Sequence, residues 1–178
     1  MEPDPGSCPS IVVEVSDRQG HLSIDPEALA GLTRRVLEAE GVHEASISLA
    51  IVDNATIHAL NRKHLGHDWP TDVITFGLSD PEDDGPLSAE IVLSAEMADE
   101  TAKEAGVAPL DELALYLVHG LLHLCGQNDL DETSAAVMRR KEAEHLDREG
   151  IMNTFSKVGP SEMETEPAAD GRERGGAR

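Results

Sequence analysis

The chain of 178 residues carries a formal charge of -21, from 14 Lys and Arg against 35 Asp and Glu, and 39% of it is apolar. That length suffices for one domain with a proper core plus loose ends, and no run of about 18 apolar residues is present to form a membrane-spanning helix. A uniformly acidic surface repels nucleic acid, although Arg62, Lys63 and the run Arg139, Arg140, Lys141 leave local basic spots.

The first nine residues read as a disordered lead. The N-terminal stretch "MEPDPGSCPS" (1–10) is acidic and Pro-rich where a signal peptide is basic and then apolar, so a cytoplasmic protein is expected. "IVVEV" (11–15) is β-branched and reads as a strand. Asp25-Pro26 opens a helix through about Glu40, with Leu29, Leu32, Val36 and Leu37 on one face and Gly41 closing it. "SISLAIVD" (46–53) is a largely buried strand, and a helix capped by Asp53 or Asn54 follows, ending near Gly66. Pro70 breaks the chain before a strand from Asp72 to Leu78, whose alternate residues are expected to pack beneath a central helix. The lone Trp69 beside it is expected in the core, with base stacking as the alternative.

"SDPEDDGP" (79–86) is a turn or loop. It leads to the strand "LSAEIVLS" (87–94) and a helix through about Ala105. Residues 108–126 form a helix apolar nearly all round, which implies burial at the centre of the fold. The last helix spans 131–150, and the acidic tail (153–178) is expected to be disordered. Strands come early and two helices finish, so the expected class is α+β: one domain (10–152), a mixed β-sheet covered by helices, and a buried helix carrying metal ligands.

That helix carries the pattern "HGLLHLCGQND" (119–129). On a helix, residues four apart lie on one face, so His119 and His123 can aim imidazole nitrogens at one point. Cys8 and Cys125 stand far apart without a CxxC, so a metal would be held by His and carboxylate. Gly126 can turn the chain back beyond the helix, bringing Asp129 within reach as third ligand, with a fourth position open for water. Asn128 and Asp131 compete for that role, and Asp129 could instead cap the final helix. The metalloprotease base is missing, because Gly120 stands where HExxH has Glu.

"HGLLHLCGQND" (119–129), "LNRKHLGHDWPTDVITF" (60–76) and "AEIVLS" (89–94) together resemble, in order and spacing over about residues 10–150, the YbeY-type endoribonucleases that mature 16S ribosomal RNA in bacteria. The resemblance implies a zinc-dependent, single-strand-specific endoribonuclease acting at the 16S rRNA 3′ end. It implies one zinc on His119, His123 and Asp129, with the metal's water as proposed nucleophile or acid–base agent. The implied partners are single-stranded RNA, ribosomal RNA or the small ribosomal subunit, with no membrane and no DNA. The alternative is a non-catalytic ribosome-assembly factor with a structural metal. Three positions depart from the family pattern. Asp129 stands where the third metal-binding His falls, an anion that weakens the metal as a Lewis acid. Gln127-Asn128 replace Tyr-Asp, and Leu65 replaces an Arg for which Arg62, Lys63, His64 and His67 are the nearest substitutes.

Overall fold

The computed structural model describes residues 10–80 and 85–152. The expected disordered lead (1–9) and tail (153–178), and residues 81–84 of the acidic loop, lie outside the described residues. The elements run β1 (Ser10–Asp17), α1 (Pro26–Ala39), β2 (Glu44–Val52), α2 (Asn54–Leu65), β3 (Val73–Gly77), β4 (Leu87–Ser94), α3 (Ala95–Ala105), α4 (Pro109–Leu124) and α5 (Glu132–Arg148). The strands make one mixed sheet of order β1-β2-β4-β3, in which β3 alone runs antiparallel. The fold is the expected single α+β domain.

Local chemistry explains most helix ends. Asp25 accepts from the Glu27 backbone N at 3.0 Å and Pro26 follows at the first helical position. Asp53, rather than Asn54, caps α2 by accepting from Thr56 N at 2.8 Å. Strand lengths have a different cause. β1 outruns the "IVVEV" core at both ends because Ser10 through Asp17 pair in register with Glu44 through Ile51.

The sheet alternates its side chains between two apolar clusters. Ile47, Leu49, Ile51, Ile91 and Leu93 point to one face and meet Leu113, Leu117, Leu121 and Leu122 of α4. Val52, Ile74 and Val92 point to the other and meet Ile57 of α2. Complete burial of each such side chain is worth about 1.5–3 kcal/mol, which is why an all-round apolar α4 settles in the centre. A Cβ on Gly120 would lie 3.0 Å from Thr75 Cγ2 and 3.1 Å from Val73 Cγ2, so the glycine is what lets α4 press onto β3. No single helix among the described residues is long and apolar enough to cross a membrane.

A candidate metal centre

His119 and His123 sit on the last turns of α4 with their Nε2 atoms 3.0 Å apart. Gly126, at φ 90°, reverses the chain, and Gln127 N donates to Leu122 O at 3.0 Å. The same return places Gln127 O 3.1 Å from His123 Nδ1. A carbonyl only accepts, so Nδ1 donates in that bond and Nε2 is the nitrogen turned toward His119. His119 is oriented differently: its Nδ1 donates to Oε1 of Glu142 at 2.6 Å, a carboxylate on α5 only 3% exposed, which leaves Nε2 facing His123.

Asp129 faces both rings, with Oδ2 3.9 Å from His119 Nε2 and Oδ1 3.8 Å from His123 Nε2. The competing assignments resolve against capping. Asp131 caps α5, its Oδ1 accepting from Ser134 N at 2.8 Å while Ser134 Oγ accepts from Asp131 N at 3.1 Å. Asn128 Oδ1 accepts from Leu130 N at 3.3 Å. The Asp129 carboxylate is left to the histidines.

Two imidazole nitrogens and a carboxylate thus converge on one point. Such a set is reconciled by a shared proton or by a cation, and its dimensions suit a cation. One ligand atom from each of His119, His123 and Asp129 lies within 4.8 Å of the others, and tetrahedral bonds of about 2.0–2.1 Å place ligands about 3.3 Å apart. The outward ring nitrogens are held by a carboxylate and a carbonyl, the arrangement that orients metal-binding histidines. Burial pushes the His119 imidazole pKa down, but the hydrogen bond to Glu142 and the charges of Glu142, Asp72 and Asp129 outweigh it, and the net shift is upward.

The centre opens into a cavity of about 840 Å³ whose lining includes Trp69, Asp72, Glu112, His119, Asp129 and Arg139. Here one sequence expectation is corrected. Trp69 is no core residue: it is 56% exposed, because Pro70 and the turn before β3 carry it to the cavity rim rather than beneath α4. Of the basic substitutes near Leu65, none lines the cavity. Arg62 lies 4.0 Å from Asp68, His64 packs on Phe76 and His67 stacks on Trp69. The lining cation is Arg139, contributed by α5.

Asp72 acts as a turn former, accepting from Val73 N at 2.8 Å, while also lining the cavity. Cys125 does not belong to the converging group, and burial and the charge of Glu40 push its thiol up to about 11. The residue that sequence reasoning missed is Glu142. Its signal was present, since an acid at that position interrupts the buried stripe of Met138, His145 and Leu146 on α5.

A family model described as Endoribonuclease YbeY matches residues 14–150. A protein of that name from Pelotomaculum thermopropionicum is 42% identical over 146 residues, covering 76% of this chain and 95% of its own. Another, from Carboxydothermus hydrogenoformans, is 38% identical over 143 residues, covering 79% and 99% respectively. A solution structure of a Thermotoga maritima protein shares the fold with TM-score 0.55 at 22% identity, over 84% of this chain and 99% of that one.

Proposed function

The chain belongs to the Endoribonuclease YbeY family, and from that premise we propose that it is a zinc-dependent endoribonuclease cleaving single-stranded RNA, acting in the cytoplasm at the 3′ end of 16S ribosomal RNA. The observation that carries the chemistry is the convergence of His119 Nε2, His123 Nε2 and the Asp129 carboxylate beside the large cavity, which His119 and Asp129 line. Two imidazoles and one carboxylate suit zinc before other divalent ions. A divalent ion held there polarises a phosphoryl oxygen and lowers the pKa of water. The chain's own residues orient the site: Glu142 and the Gln127 carbonyl fix the tautomers of the two histidines. A recess rather than a flat rim favours an unpaired strand, whose backbone can bend a phosphodiester inward.

Elemental analysis of wild type, His123→Ala and Asp129→Ala, with cleavage of single-stranded RNA assayed on the same samples, tests the reading. One zinc per wild-type chain, lost in both variants together with cleavage, supports it. Metal retained by Asp129→Ala removes Asp129 from the ligand set. Bound metal with no cleavage by the wild type makes the protein an RNA-associated assembly factor instead.

A further inference from the structure

The cavity that holds the candidate centre is acidic, and this poses a problem for a polyanionic substrate. Among the described residues, Asp72, Glu112, Asp129 and Glu142 line it against a single Lys or Arg, Arg139. The neighbouring cations are engaged elsewhere: Arg140 pairs with Glu144 at 3.8 Å and Lys141 with Glu40 at 2.6 Å. Among the described residues no salt bridge engages Arg139.

Trp69 stands on the same cavity with an unusual construction. In a chain with only 2% aromatic residues, its one tryptophan is more than half exposed. The ring is nonetheless held in place. His67 stacks on it with ring centroids 4.7 Å apart and planes 15° from parallel. Asn61, 2% exposed, donates from Nδ2 to the Trp69 backbone carbonyl at 2.8 Å, and the Asn61 backbone carbonyl accepts from His67 N at 3.4 Å. Gly66, left-handed at φ 71°, turns the chain into this bracket and Pro70 stiffens its exit. The buried Asn61 amide fixes the backbone at Trp69 and the His67 ring fixes the indole plane, so the exposed ring is presented to the cavity in one orientation.

The geometry points to Trp69 as a base-stacking platform and to Arg139 as a phosphate contact, which together seat a single-stranded RNA segment in the cavity beside His119 and Asp129. This assignment rests on the endoribonuclease reading and names how that site grips its substrate. Stacking is tolerant of base identity because every base offers a π-face, so the platform selects unpaired over paired nucleotides rather than one sequence. A guanidinium opposite four carboxylates gives a backbone phosphate a defined point of attraction on the described lining.

The sole tryptophan makes the test direct. The full-length protein is titrated with a short dye-labelled 2′-O-methyl oligoadenylate, following indole fluorescence and dye anisotropy. We expect saturable quenching, affinity about 5- to 150-fold weaker in Trp69→Ala, equivalent to about 1–3 kcal/mol of stacking, and most affinity kept in Trp69→Phe. Arg139→Ala should flatten the slope of log affinity against log salt by about 0.7, the value for one phosphate on a single strand, with Arg139→Lys keeping it. A wild type that binds and cleaves RNA with unquenched indole, and with Trp69→Ala binding as well as wild type, overturns this inference and leaves the nuclease reading standing. Failure of the wild type either to bind or to cleave RNA overturns both.

Discussion

Glu142 offers the sharpest test of whether the His119–His123–Asp129 cluster is built for a metal. The Glu142→Gln change keeps the shape of a side chain that is 3% exposed and removes only its charge. Its carboxylate accepts from His119 Nδ1 at 2.6 Å, a short charge-assisted bond. Bonds to charged groups contribute about 1.5–3 kcal/mol and neutral ones about 0.5–1.5, so the exchange weakens the support of His119 by about 1 kcal/mol or more. Burial already pushes the His119 imidazole down. With the chief opposing influence gone, the ring becomes a poorer base and a poorer ligand. Zinc affinity, measured by competition with a chromophoric chelator, should fall roughly 10- to 100-fold, the range for loss of a partner that orients a metal-binding histidine. The metal-free protein should melt close to wild type, because relieving a desolvated carboxylate offsets the lost bond. Unchanged zinc affinity in a folded Glu142→Gln protein would refute the reasoning and reduce Glu142 to a packing residue.

The two aspartates flanking Leu130 should separate cleanly. Asp131→Ala should lower the melting temperature through loss of the α5 cap while keeping metal, whereas Asp129→Asn should lose metal without destabilising the metal-free protein, both read by calorimetry with and without zinc. Gly120→Ala should cost about 1–3 kcal/mol, because the new methyl meets the stiff branched Thr75 and Val73, a drop of about 2–4 °C per kcal/mol in a domain of this size. Glu40, 11% exposed in its side chain, binds Lys141 Nζ at 2.6 Å and His145 Nε2 at 2.8 Å. Burial raises its pKa, but those two partners outweigh it and hold the carboxyl below its ordinary value. Its contribution is therefore complete above the unfolded pKa and lost as pH falls through the folded one, so Glu40→Gln should flatten the acid limb of stability measured by urea unfolding across pH.

What the sequence determined by itself lies within one or two helical turns. Asp25 and Asp53 announce helix starts because a cap acts on a backbone N–H two or three residues away. His119 and His123 share a face because of helical pitch, and Gly126 turns the chain because only glycine takes that φ without strain. The motif order along residues 60–129 carried the family. What only tertiary structure decided lies across greater separations. The length of β1 came from its register with β2, the partner of His119 from α5 docking on α4, and the division of labour between Asp129 and Asp131 from where that helix begins. Trp69, expected in the core, stands at a cavity rim because Asn61 and His67 hold it there. Local patterns carry the energetics of single elements, whereas a side chain's partners depend on which elements the shared core brings together, and the core is a property of the whole chain.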